Sequence, residues 1–568
     1  MVRQLAWEVL RSGSVTPLRE ADFAAREVGL DGRDRALLRA IVGSEVRHRG
    51  TLRVLVAAFA RGNPKPGLRT HLHVGFAQLL YMDRIPARAA VSEQVDATRR
   101  TLGASKTTYV NAILRTFIRD RKPGHSGDPR CDIVGTDWHF ERPLFHDPEQ
   151  HPALWAEDAL SIPANLFKRW HKRLGLETAM ELGRLFHEAP DLSLRAVGRE
   201  RDEVRDELLA AFAESGGVAA IEAAAAEVAV ADGERAVARA AEAAKMAAAE
   251  AAKKASVETS PPVEEAPITL ADDVAADAEP VEVAAEPQPA EAPDTEAPAV
   301  DASELATPTE EPKPKRRERF DPLELLDGKH PSILLARGTV AGLFEGEAFT
   351  AGRVTVQGET ALRAAELVGA QPGEDVLDLC AAPGGKTAVL AATGAKVVAV
   401  DVSEPKLLRL GETLTRLGVA DAVELIEARP LRADVVDDET PEFAPGPADY
   451  TNLGTRDFDA VLVDAPCSNT GVLGSRPGAR WRFGPANQKA LIELQQQLLL
   501  EGANRVRPGG RLVWSTCSIE SDENQQLVNR FVAAHDDWTL EAEIESLPAS
   551  TEAGGPIDGG YAARLRRA

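Results

Sequence analysis

Three cysteines in the C-terminal third of the chain stand where short apolar runs end. Cys380 ends 375–380, Cys467 lies just past Ala460–Val463, and Cys517 lies just past Arg511–Trp514. Runs of this kind read as buried parallel strands, and open α/β sheets gather their ligands at the carboxyl ends of such strands. Packing accounts for any one buried cysteine; three in equivalent places point to a shared site. Between the first run and a helical segment at 387–393 lies the turn Cys380-Ala381-Ala382-Pro383-Gly384-Gly385-Lys386. Strand, glycine turn and helix make a nucleotide-type site, because backbone N–H groups at the helix start face the ligand. Asp401 ends the next strand, 16 residues after Gly385, near the spacing at which a carboxylate holds a ribose. An adenosine-containing cofactor is the expectation. The absence of GxGxxG argues against a dehydrogenase, and Gly385-Lys386-Thr387 lacks the earlier glycine of a phosphate-binding loop, Cys380 standing in its place.

The elements that must position these residues lie in 371–568, where strands at 375–380, 396–401, 422–426, 459–464 and 510–516 alternate with helices at 387–393, 404–417, 486–506 and 522–534. That alternation predicts a doubly wound α/β domain. The interval 430–457 reads as a surface loop. Residues 1–122 read as helices, with Leu37, Leu38, Ile41, Val42, Leu52, Leu55, Val56 and Phe59 at helical spacing. Arg33, Arg35, Arg39, Arg47, Arg49 and Arg53 are interleaved on polar faces, as solvated charges or as contacts to RNA phosphates. Residues 122–163 read as loop, and His125, His139, His146 and His151 are too irregularly spaced for a metal site. Helical pattern resumes at 166–170 and 179–186, and 192–197 reads as a strand.

The net charge of −23 is unevenly spread. Residues 257–312 hold 16 Asp and Glu and no Lys or Arg, whereas residues 1–122 hold 22 basic residues against 11 acidic. A basic head and an acidic tether are separate objects. The alanine-rich 219–256 has helix propensity but little to bury, and 257–312 has the composition of disorder. No apolar run reaches membrane-spanning length and no signal peptide is read. Four cysteines without a CxxC pair exclude a disulfide framework and a cysteine-rich zinc site. A reduced, cytoplasmic protein is expected.

The segments D-L-C-A-A-P-G-G-K-T, L-V-D-A-P-C-S-N-T-G-V and S-T-C-S-I-E-S-D-E-N resemble the motifs of the Nop2/Sun family of RNA cytosine-5 methyltransferases. The basic head with V-N-A-I-L-R resembles the NusB-like domain of that family's bacterial Sun/Fmu/RsmB branch, which acts on 16S rRNA, and V-T-V-Q-G-E at 354–359 resembles its lead into the cofactor domain. The resemblance covers about 1–200 and 330–568. It implies an α/β Rossmann-like S-adenosylmethionine-dependent domain at 371–568 and an all-α NusB-like domain at 1–122. A connector and small α+β subdomain at 123–218 and 319–370 would flank a low-complexity insert at 219–318. It makes Cys517 the nucleophile on cytosine carbon 6, Cys467 the group that assists release, and Asp464 the ligand of the cytosine edge and of the cofactor. It assigns Cys380, Ala381, Ala382, Pro383, Gly384, Gly385 and Lys386 to the methionine side of the cofactor, Asp401 to the ribose and Glu427, where the family has Asp, to the adenine. Gly358 stands where Asp is usual, and Asp558-Gly559-Gly560-Tyr561 lacks the paired aromatics common there. No metal is implied. The expected partner is RNA, small-subunit rRNA first, bound by a monomer away from membranes. Another RNA, or a non-catalytic assembly role, is the alternative.

Overall fold

A computed structural model of the chain describes residues 1–214, 323–338, 340, 342–430, 448–550 and 556–568. The stretches read as helical (219–256) and disordered (257–312) lie outside the described residues, as does 431–447 of the interval read as a loop.

The head is helical: α1 (Val2–Arg11), α2 (Pro17–Glu27), α3 (Gly32–Phe59), α4 (Pro66–Tyr81), α5 (Ala87–Leu102) and α6 (Thr107–Asp120). Asp31 caps α3, its carboxylate accepting from the Asp34 N–H at 2.7 Å. Gly103, at φ +85°, ends α5. Leu38, Ile41, Val42, Leu52 and Leu55 are fully buried, as their spacing requires.

The reading of 122–163 as loop needs correction. Pro152–Ala159 forms α7, and Lys122–Pro123 pairs with Trp138–His139. Proline at the first turn starts α7, and Trp155, Ala156 and Ala159 bury its inner face. Eight residues are too few to show a period in a Pro- and His-rich stretch. Helices α8 (Ala164–Leu174) and α9 (Leu176–Leu185) follow.

Strand β1 (Leu192–Ala196) and, after α10 (Arg201–Glu214), strands β2 (Glu324–Asp327), β3 (Ile333–Arg337) and β4 (Val354–Val356) form one antiparallel sheet in the order β2-β3-β1-β4. Segments on either side of the acidic stretch are thus hydrogen-bonded into one unit.

The larger sheet contains β5 (Asp375–Leu379), β6 (Lys396–Asp401), β7 (Val423–Glu427), β8 (Phe458–Asp464), β9 (Val506–Thr516), β10 (Trp538–Ser546) and β11 (Gly560–Arg567), in the order β10-β11-β9-β8-β5-β6-β7. Strands β9, β8, β5, β6 and β7 run parallel, and β11 is antiparallel to both its neighbours. Side chains alternate across the sheet. Leu377, Val461 and Val463 pack with α14 (Pro485–Asn504) and α15 (Gln525–Ala534); Val376, Ala460 and Leu462 pack with α11 (Glu359–Leu367) and α12 (Gly385–Ala392). Helix α13 (Glu404–Arg416) follows β6. The chain reverses its direction of travel between β5 and β8, and a crevice for ligands opens at such a switch point. Among the described residues no helix is long and apolar enough to cross a membrane.

Candidate active site

The register that sets Asp464 of β8 beside Ser515 of β9 brings the two following loops together. Cys467 and Cys517 meet there, their sulfurs 3.2 Å apart. Cys517 donates to Asn469 Oδ1 at 3.3 Å, which leaves the Cys467 thiol to donate to Cys517. That bond, together with burial, holds Cys467 protonated well above the ordinary thiol range. The same bond outweighs the opposing effect of burial at Cys517 and, with the charge of Arg476, pulls its pKa down. Arg476 donates to Asn469 Oδ1 at 2.6 Å, and Asn469 Nδ2 donates to the Cys467 carbonyl at 2.7 Å. Asn469 holds this position at φ +60°, a left-handed conformation asparagine tolerates.

Beneath the cysteines lies a buried polar brace. Glu523 accepts from the Ser468 N–H (2.9 Å), Gln495 Nε2 (3.0 Å) and Ser518 Oγ (3.0 Å), so one carboxyl holds the residues following both cysteines. Burial pushes its pKa up to about 7. Close backbone contact fixes the front: a Cβ at Gly471 would lie 2.7 Å from the Gly559 carbonyl and 2.9 Å from that of Cys517.

The glycine turn lies between β5 and α12. Cys380, at φ +70°, starts it, Ala381 N–H donates to Val400, and Gly384, at φ +97°, leads into α12. The Cys380 thiol is pushed up by burial and by the Asp401 charge, and Cys380 takes no part in the cysteine contact. Ala382 N–H donates to Asp401 Oδ2 at 3.3 Å. Asp401 is buried, and its Oδ1 has no hydrogen-bond partner, with Lys406 Nζ 3.5 Å away. Glu427 stands opposite Asp401 in the β6–β7 register, exposed. Lys386 reaches across to Asp464, Nζ to Oδ2 at 2.7 Å, while Ser515 Oγ donates to Oδ1 at 3.2 Å. Behind the turn, burial raises Asp378 to about 7 despite a bond from Thr387.

The segment after Cys467 also plugs into the head. Arg480 is fully buried and donates to the carbonyls of Arg47, Ser161, Phe186 and Leu473. Trp481 Nε1 donates to the Val46 carbonyl, and Arg47 returns a bond to Gly474. The polar-face reading of the head's arginines therefore needs correction at Arg47 and Arg49, whereas Arg53 is exposed as expected. Arg47 binds carbonyls of Glu188 and Gly474, while Arg49 and Arg53 pair with Glu45 and Glu157 and flank the Trp481 ring. Spacing along one helix does not reveal what packs against it.

Asn469, Arg476, Glu523 and Gln357 escaped the sequence reading. Asn469, Glu523 and Gln357 lie inside the resembling segments without being assigned a role, and Arg476 lies just beyond one; what distinguishes them is burial or partnership across loops.

Residues 365–554 match the family model described as 16S rRNA methyltransferase RsmB/F, and residues 3–119 match the NusB family. Ribosomal RNA small subunit methyltransferase B of Cronobacter sakazakii is 36% identical over 216 residues, 36% of this chain and 46% of that protein. Its namesake in Yersinia pseudotuberculosis is 36% identical over 214 residues, 37% and 46% of the two chains. The match spans less than half the length of these curated relatives. Among solved structures, that of PH0851 shares the fold at a TM-score of 0.59 and 18% identity, covering 100% of this chain and 97% of that one. Two family models thus meet in this one chain, that of the NusB family on the helical head and that described as 16S rRNA methyltransferase RsmB/F on the Rossmann-like sheet around the paired cysteines.

Proposed function

We propose that this protein methylates carbon 5 of a cytosine in RNA, small-subunit rRNA in particular, through a covalent bond between Cys517 and the base. The observation that carries the reading is the Cys467–Cys517 contact, 3.2 Å between two thiols whose acidities are moved in opposite directions. One is prepared to attack and the other to keep a proton. The proposed division of labour assigns 1–122 to RNA docking, 123–218 and 319–370 to a connecting subdomain, 219–318 to an insert and 371–568 to catalysis. In this reading the protein acts as a monomer, in the cytoplasm where small-subunit rRNA is found.

The residues present fit the cofactor. Asp401 offers the ribose hydroxyls a buried oxygen that makes no hydrogen bond, Glu427 lies beside it for the adenine amino group, and Cys380 to Lys386 line the methionine side, with Asp464 at their far end. When bound, S-adenosylmethionine supplies an electrophilic methyl group.

Carbon 5 of cytosine is a weak nucleophile until carbon 6 is attacked. The Cys517 thiolate adds there, while Asp464 receives the base's polar edge. The electron pair this places on carbon 5 would take the methyl group that the bound cofactor supplies, leaving carbon 5 with both a methyl and its proton. Once Cys517 is a thioether, the charge that kept Cys467 protonated is gone. Cys467 then loses its proton to solvent and accepts the carbon-5 proton. The electron pair of the C5–H bond re-forms the C5=C6 double bond, and Cys517 leaves as thiolate. The target must be unstacked to expose its face.

Denaturing gels test this reading. Cys467→Ala should accumulate a covalent RNA–protein adduct and Cys517→Ala none, and bisulfite sequencing of a deletion strain should lose one 5-methylcytosine from small-subunit rRNA. If neither variant traps RNA and no site is lost, the reading fails; a site lost from another RNA would redirect the substrate only.

A further inference from the structure

Gln357 follows β4 and enters the joint between the two sheets. Its backbone is held twice by Ser193: the Gln357 N–H donates to the Ser193 carbonyl at 3.1 Å, and the Ser193 hydroxyl donates to the Gln357 carbonyl at 2.8 Å. The residue is only 5% exposed, yet neither Nε2 nor Oε1 meets a hydrogen-bond partner. A buried donor and a buried acceptor left unmade in one side chain are costly, and folded proteins leave few.

What the carboxamide faces is the glycine turn. A Cβ at Gly385 would lie 3.7 Å from Gln357 Nε2 and 3.8 Å from its Cδ. Gly385 is therefore the point at which the turn leaves room beside the amide. Asp401 Oδ1, at the end of β6, is likewise buried without a hydrogen bond. Buried polar atoms without a hydrogen bond thus attend the same turn from two sides, Lys406 being the ion-pair partner of the second. Asp401 and Glu427 sit side by side on β6 and β7, so the adenosine would run outward along that edge. This leaves the zwitterionic end of the cofactor at the start of α12, where Gln357 stands.

We propose that Gln357 binds the amino-acid end of the cofactor, Oε1 accepting from the α-ammonium and Nε2 donating to the α-carboxylate. A zwitterion presents one donor group and one acceptor group, and a carboxamide presents the complement of each. A Glu or Lys at this position would attract one charge and repel the other. The proposal rests on the S-adenosylmethionine reading above.

Calorimetry on the full chain separates the two. S-adenosylhomocysteine carries the amino-acid end, and 5′-methylthioadenosine lacks it. Gln357→Leu should weaken S-adenosylhomocysteine about 10–100-fold, the worth of hydrogen bonds to charged groups, and leave 5′-methylthioadenosine unchanged. Gln357→Asn, which keeps the joint polar but falls one methylene short, should show the same selective loss. Unchanged S-adenosylhomocysteine affinity in both variants overturns the proposal, and so does an equal loss for both ligands, which marks a structural role. A wild-type protein that binds neither ligand overturns the cofactor reading itself.

Discussion

Lys386 and Asp464, 78 residues apart in sequence, are joined by a 2.7 Å bond from Nζ to Oδ2 that ties the glycine turn to the end of β8. Burial works against the ammonium charge, but Asp464 outweighs it and holds Lys386 above the ordinary lysine range. The carboxylate proposed to meet the base is therefore oriented from the cofactor side. We predict that Lys386→Met lowers the single-turnover methylation rate about 10–100-fold at saturating cofactor, the scale of a charge-assisted bond, and that Lys386→Arg recovers part of it. A single-turnover rate unchanged in Lys386→Met would remove the pair from the mechanism.

Arg476 is exposed, so solvent screens its pull on Cys517 and the effect must be modest. We predict that Arg476→Gln moves the pH midpoint of Cys517 alkylation by iodoacetamide upward by about half a unit, more at low ionic strength, because a nearby positive charge favours the thiolate. Peptide mass spectrometry follows Cys517 separately from Cys467. Arg476→Lys should restore the midpoint. A lower rate at every pH with an unmoved midpoint would mean that Arg476 only holds Asn469 in place.

The parallel strands were legible because both faces of each are buried: Val461 and Val463 face one helical layer, Ala460 and Leu462 the other. β10 was not legible. Its Glu541 and Glu543 alternate with other side chains, and Glu541 is matched only across the sheet by Arg564 and Arg566 of β11. The cysteines at 467 and 517 could be placed at strand ends, but their 3.2 Å contact follows from the pairing of β8 with β9, a fact of register. Gln357 stood only as one letter of V-T-V-Q-G-E until its burial was known. Local pattern gives elements, and partners come from packing.

Arg480 shows how packing overrides local expectation. Its guanidinium is fully buried without a carboxylate, and burial and the nearby Arg47 charge press its pKa well below the ordinary range. Four carbonyls from α3, the α7–α8 and α9 junctions and the Cys467 segment compensate. We predict that Arg480→Met, which keeps much of the volume but no donor, destabilises the protein by about 3 kcal/mol or more. Arg480→Lys should be little better, because an ammonium cannot reproduce the planar fork. Urea unfolding measures both. Wild-type stability in Arg480→Met would show that the head is held without these bonds.

Glu523 gives the pH dependence a definite sign. Its folded pKa, about 7, lies above the ordinary 4.5 because the carboxyl is buried. The folded state therefore keeps a proton that the unfolded chain gives up, so this contribution is complete below the ordinary value and lost as pH rises through 7. Glutamine reproduces the protonated acid: its oxygen can accept from Ser468 and Gln495, and its amide can donate to Ser518. We predict that Glu523→Gln matches wild type near pH 5 and exceeds it near pH 8 by something on the order of 2 kcal/mol. Asp378 and Asp558, raised by burial to about 7 and about 6, remain in both proteins and cancel in the difference. Urea midpoints at the two pH values are the measurement. A gap that does not change with pH would mean that the carboxyl is already ionised in the folded protein, and the brace beneath the cysteines would then carry a charge.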